Sequence, residues 1–191
     1  SEGHIPSFAN LTADALKSFS NPKELLKYVA SSASGMNFNK GSSRIFIDVG
    51  GGKGLKVAIN QAGIAQNLRE FPILTDDYFA RDQYGDILPQ GYDYDREKGM
   101  FGFVEKVNPK VGANLFKSLA GKGKRNFGYD IHNSPEGSFG AKVSEFIRNY
   151  DLRNDFGGGR NIGLSSDSKL KLFDVGYDEE VARIFYRDRN L

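Results

Sequence analysis

The chain has 191 residues, with 26 basic and 24 acidic side chains, a formal charge of +2, two histidines and no cysteine. The lack of cysteine excludes a disulfide framework, a thiolate zinc site and a cysteine nucleophile, and His4 and His132 are too few to build a histidine cluster. A charge this close to neutral makes no electrostatic case for nucleic acid as a partner, and no apolar run approaches the length of a membrane span. The N-terminus lacks the charged-then-apolar pattern of a signal peptide. The length suits one domain, or one domain of two small lobes, and the expected state is a soluble monomer from a reducing compartment.

Along the chain, Asn21 of SNPKELLKYVASS is placed to cap a helix and Pro22 suits its first turn. Glu24 stands where a capping box takes its carboxylate, and Leu25, Leu26 and Val29 form an apolar stripe. RIFIDV, from residue 44, alternates and is rich in β-branched residues, GGGKG turns the chain, and LKVAIN alternates again, which predicts a β-hairpin. AGIAQNLREFPIL reads as helix up to Pro72, and ILPQGYDYDREKGMFGFVEKV as strand, tight turn, strand. After Pro109 the composition changes: Leu115, Phe116 and Leu119 have helical spacing, while GKGKR and the stretch holding His132 read as solvated loop. AKVSEFIRNYDL places Val143, Phe146, Ile147 and Tyr150 at i, i+3, i+4 and i+7, a helix with one buried face. A loop then leads into NIGL, a turn at SSDSK and LKLFDVG, a second hairpin. The fold class expected is α+β, with a ligand cleft between the two halves, whose boundary lies near Asn108 and Pro109.

Two stretches end an apolar run with Asp-Val-Gly. The first, IFIDVGGGKG, resembles the opening motif of S-adenosylmethionine-dependent methyltransferases, a resemblance that implies a ribose-binding acid at Asp76 or Asp77. It requires LKVAINQAGIAQN to be one helix, against which Val57, Ile59 and Gly63 argue, and the simpler reading is a glycine-rich β-turn. A P-loop is excluded because Gly54, and no Ser or Thr, follows Lys53.

The second stretch belongs to a longer ordered set. KGSSRIFID, GLKVAIN, GIAQNLREF, MFGFVEKVNP, RND and FDVG follow one another between residues 35 and 176, and together they resemble a reduced protein kinase. The resemblance implies a minimal bilobal fold: a helical extension at 1–34, an antiparallel-sheet N-lobe at 35–108 and a truncated, mostly helical C-lobe at 109–191. It implies that the backbone of Gly41, Ser42 and Ser43 covers the phosphates of ATP, that Lys56 on the third strand meets the α and β phosphates, and that Glu70 on the next helix pairs with Lys56. Glu105 to Val107 would form the hinge that meets adenine. Asp155 of RND would orient the substrate hydroxyl and accept its proton, with Lys56 and Glu70 completing the catalytic set. Asn161 and Asp174 would hold Mg²⁺, Asn161 lying one residue further from Asp155 than the common spacing.

Fifteen residues follow Gly176, so the resemblance is to the miniature kinases that pathogenic bacteria deliver into host cells through type III secretion, which are truncated after the metal-binding motif. That implies a host protein as substrate, a chaperone or a ubiquitin-pathway protein among the types known for the family, and phosphorylation of Ser or Thr more than Tyr. Two other functions are compatible with the residues. One is a pseudokinase that binds nucleotide or a partner without chemistry, since RND lacks the His of H-R-D; the other is the methyltransferase. The plain alternatives residue by residue are a solvent-facing strand lysine at 56, a solvated helix glutamate at 70, and turn residues at 161 and 174.

Overall fold

Alternation in the first half of the chain produces one antiparallel sheet. In the computed structural model, which describes residues 11–32, 38–109, 134–153 and 161–186, the strands are β1 (Phe38–Lys40), β2 (Arg44–Gly50), β3 (Lys53–Ala58), β4 (Gly91–Tyr94) and β5 (Phe101–Glu105). Their spatial order is β1-β2-β3-β5-β4. The period of two divides the side chains of β3 cleanly. Leu55 and Val57 face one way, into a core with Leu16, Leu25, Val29, Ile47 and Phe101, where helices α1 (Ala13–Lys17) and α2 (Pro22–Ser32) pack. Lys56 points the other way, towards helix α3 (Gln61–Phe71).

Local chemistry sets where the helices begin. Asn21 Oδ1 accepts the Glu24 amide at 2.9 Å and starts α2, and Asn60 Oδ1 accepts the Gly63 amide at 3.0 Å and starts α3. Pro72 ends the regular part of α3, and the chain continues through a π-helical turn, Pro72–Asp76, into α4 (Tyr78–Tyr84). The hairpin expected at 44–59 is present, its turn made by Gly50, Gly51 and Gly52, all with positive φ.

That hairpin corrects the methyltransferase reading. The segment after IDVGGGKG is strand β3, paired along its length with β2 and β5, and no helix begins there. Asp76 lies in the π-helical turn and Asp77 caps α4 through the Ala80 amide at 3.0 Å, so neither ends a strand. The strand expected from Ile87 begins instead at Gly91, because Ile87 and Leu88 are buried in the core before the sheet is reached.

The later half adds α5 (Phe139–Asn149), capped by Ser138, and a two-stranded hairpin of β6 (Ile162–Leu164) and β7 (Leu170–Leu172). A second core joins the two halves: Phe71, Tyr84 and Val104 pack with Phe146, Ile162, Leu172 and Val175. Asn108 and Leu164 exchange backbone hydrogen bonds at 2.9 and 3.0 Å across the expected boundary. A short helix, α6 (Glu179–Val181), and a π-helical turn, Ala182–Tyr186, return the chain to α3, where Arg69 pairs with Asp178 at 2.9 Å. Among the described residues no helix is long and apolar enough to cross a membrane. His4, Leu115 to Leu119, GKGKR, His132 and Asp155 lie outside the described residues.

Candidate functional site

The inner face of the sheet carries charge where its outer face carries hydrocarbon. Arg44 on β2 and Lys56 on β3 are 8% and 5% exposed, and Glu70, projected from the last full turn of α3, is fully buried between them. Lys56 Nζ donates to Glu70 Oε2 at 2.8 Å, and Arg44 meets the same carboxylate through both terminal nitrogens, at 2.9 and 3.3 Å. Asp174 enters from the segment after β7, and its Oδ1 accepts from Lys56 at 2.9 Å and from Arg44 at 3.0 Å. The Val175 amide then donates to Glu70 Oε1 at 2.7 Å. Two cations and two anions thus neutralise one another at a point where β2, β3, α3 and the 173–176 segment converge.

Burial of Arg44, Lys56 and Glu70 is costly unless each is paired, and removing one partner strands the others. The directions of the acidities agree. Burial would push the Glu70 carboxyl up, but Arg44 and Lys56 outweigh it and hold Glu70 below its ordinary value. Partial desolvation opposes ionisation of Asp174 as well, and Lys56 and Arg44 hold its carboxyl down at about 2. Arg44, despite its burial, is held above its ordinary value by Glu70 and Asp174.

Above this cluster opens a cavity of about 720 Å³. Its roof includes Gly41, Ser42 and Ser43 of the β1–β2 turn; Glu105 and Val107 line the far side, and Lys56, Asn161 and Asp174 the floor. Every residue expected to touch nucleotide or metal therefore lines one space, while Glu70 stands behind Lys56. Asp155 lies outside the described residues, and Arg153, two positions before it, donates its amide to Tyr177 O at 3.0 Å, three positions beyond Asp174.

The hydrogen bonds narrow some of the expectations. Gly41 spends its amide on Arg44 O at 2.8 Å, closing the turn, whereas the amides of Ser42 and Ser43 have no partner among the described residues. The Glu105 amide donates to Gln90 O and the Lys106 amide to Gly52 O, both at 2.8 Å, so of the three hinge amides that of Val107 is the one with no partner among the described residues. Glu105 instead works through its carboxylate, which accepts from Lys171 Nζ at 3.0 Å. Asn161 and Asp174 sit side by side at the open end of the β6–β7 hairpin, both with positive φ, joined by the Phe173 amide donating to Asn161 O at 2.8 Å.

The donors fit a hard divalent cation. Asp174 Oδ2 has no hydrogen bond among the described residues, and the side chain is 45% exposed and lines the cavity together with Asn161. No group of three or more acidic or histidine side chains able to hold a metal occurs among the described residues. Magnesium taken up together with phosphates needs only one or two protein oxygens.

Several contributors were not foreseen. No motif gives Arg44 a role, although strand alternation sets it on the same face as Phe46 and cross-strand Lys56. Asn67 and Gln66, at i−3 and i−4 from Glu70, share its helix face: Asn67 accepts from Arg44 at 3.1 Å, and Gln66 accepts from Ser43 Oγ at 3.0 Å. Tyr177 and Tyr186, from the returning C-terminal segment, also line the cavity. No protein-family model matches the sequence, and no curated protein matches it.

Proposed function

We propose that the protein is a minimal bilobal kinase that uses ATP and Mg²⁺ to phosphorylate a protein hydroxyl, Ser or Thr more than Tyr. The observation that carries this reading is the contact of Lys56 with Glu70 and Asp174 on the floor of a cleft roofed by a turn with open amides. Element order supports it: the lysine is on the third strand, its glutamate on the following helix, and the hinge follows the fifth strand, as the kinase resemblance requires. The 720 Å³ cavity is within the range of small-molecule sites.

In this reading Lys56 Nζ, two of whose three N–H groups are engaged by Glu70 and Asp174, offers the third to the α and β phosphates. The Ser42 and Ser43 amides donate to phosphate oxygens from above, and the Val107 amide meets the base. Asp174 Oδ2 and Asn161 would hold magnesium, which supplies charge neutralisation on the β and γ phosphates when bound. Asp155 would take the proton of the substrate hydroxyl as its oxygen bonds to the γ phosphorus. The bond from that phosphorus to the β–γ bridging oxygen breaks, and ADP leaves. The resemblance to effector kinases makes a host protein the substrate class.

Incubation with labelled ATP, magnesium and a host-cell extract tests the proposal. Label should reach an acceptor protein or the kinase itself, Asp155→Ala should lose transfer while keeping ATP binding, and Asp174→Ala should lose both transfer and metal-dependent binding. Full transfer by both variants would refute it. A nucleotide-binding pseudokinase is the second reading, favoured by Arg153 and Asn154 standing where H-R-D has His and Arg. Metal-dependent ATP binding without any transfer would select it.

A further inference from the structure

Building on that reading of the cleft, we propose that Arg44 is a positioning residue that clamps α3 and Asp174 in their ligand-ready places, so that the site is assembled before any ligand, partner or modification acts. A guanidinium has four terminal N–H groups in a planar fork. Arg44 Nη1 donates to Asn67 Oδ1 at 3.1 Å and Glu70 Oε2 at 2.9 Å; Nη2 donates to Glu70 Oε1 at 3.3 Å and Asp174 Oδ1 at 3.0 Å. All four are used, on partners that come from α3 and from a segment 130 positions away in sequence. None of these four terminal N–H groups is left over for a phosphate.

Lys56 has the complementary arrangement. Among the described residues it makes two bonds, to Glu70 and Asp174, which leaves its third N–H for a ligand in the cavity it lines. The two cations thus divide the work: Arg44 fixes geometry, and Lys56 meets the ligand. Without Arg44, the buried Glu70 and the left-handed backbone of Asp174, at φ 56°, would both depend on the one cation that the phosphates also need. Asn67 strengthens the clamp from α3, its Nδ2 donating to Gly99 O at 2.9 Å in the turn between β4 and β5. Both cations bond Oδ1, which leaves Asp174 Oδ2 without a hydrogen bond among the described residues, so a metal would be held there without releasing either cation.

The test uses the full chain with Arg44→Gln, Arg44→Lys and Lys56→Met. Amide hydrogen exchange is measured at Val175, whose N–H donates to Glu70, without ligand. The wild type should protect this amide; Arg44→Gln should raise its exchange rate by about tenfold or more, and Lys56→Met should change it much less. Calorimetry with ATP in magnesium and with ATP in chelator supplies the second readout. Arg44→Gln should lose most of the gain that magnesium gives while holding its affinity for metal-free ATP, and Lys56→Met should weaken both. Arg44→Lys keeps the charge without the fork, so it should resemble Arg44→Gln in both readouts; if Arg44→Gln does not fold, Arg44→Lys alone decides. Equal losses of metal-free ATP affinity in the Arg44 and Lys56 variants would make Arg44 a direct phosphate ligand and overturn the proposal, as would unchanged Val175 exchange. If the wild type binds no ATP the kinase reading fails, and the Val175 exchange still decides whether Arg44 is the clamp.

Discussion

The chain spells Asp-Val-Gly twice, and the two copies do different work. At 48–50 the aspartate lies within β2: Asp48 Oδ1 accepts the Gly50 amide at 2.9 Å and Oδ2 accepts Lys106 Nζ at 2.6 Å, so both oxygens are spent on the rim of the sheet. The left-handed residues there are the glycines that follow. At 174–176 the aspartate itself is left-handed, which turns its carboxylate back to the cleft, and Gly176 packs so closely on α3 that an added Cβ would stand 2.4 Å from Gln66 O. Three identical letters are a turn where the facing element is more of the same hairpin. They are a candidate ligand site where the facing elements bring two buried cations and a buried carboxylate.

The two aspartates should respond very differently to removal. Asp174→Ala should abolish the gain in ATP affinity on adding magnesium and lower any transfer by roughly 10²- to 10³-fold, the scale of losing a main electrostatic stabiliser. Asp48→Ala should leave both unchanged and cost no more than about 1 kcal/mol in a denaturant titration, as an exposed pair does. Equal damage from the two would remove the distinction. Glu70→Ala should destabilise the fold by about 3–5 kcal/mol, because it leaves Arg44 and Lys56 buried with half their compensation. A loss under about 1 kcal/mol in the same titration would mean that the cluster is solvated.

Two glycines differ in the same way, with smaller effects. Gly51→Ala meets no atom within 4 Å, so its cost is only that of a side chain at φ 64°, about 1–2 kcal/mol. Gly176→Ala must push backbone against backbone, and it should cost more stability and also weaken magnesium-dependent binding, which Gly51→Ala should not. The smallest effect is one of pH. A folded-state value of about 2 for Asp174, against 3.8 ordinarily, means that its ionised form contributes stability above pH 3.8 that disappears as pH falls towards 2. The gap in unfolding midpoint between wild type and Asp174→Asn should therefore be constant near neutrality and close in acid. A gap that widens in acid would contradict the assigned direction.

Much of the fold was legible because it is encoded locally. Asn21 and Asn60 mark helix starts, alternation on both sides of GGGKG gives the hairpin, and the 143–150 spacing gives α5 with its buried face. The alternation of LKVAI also told which way Lys56 points, though not that it would be buried. What could not be read is what depends on chain return. Arg44 and Asp174 are far apart in sequence and meet only because β7 docks its end on the core, with the Leu172 amide on Ile87 O at 2.8 Å. Tyr177 and Tyr186 reach the cavity for the same reason, and no local periodicity carries that information. Ile87 and Leu88 misled in the opposite sense, because β-like letters were buried by tertiary packing before the strand began.

The most direct measurement is calorimetric titration of the wild-type chain with ATP in magnesium, ATP in chelator and S-adenosylmethionine in parallel. ATP should bind, more tightly with magnesium, and the methyl donor should not. Binding of S-adenosylmethionine alone, or ATP binding indifferent to magnesium, would contradict the kinase reading.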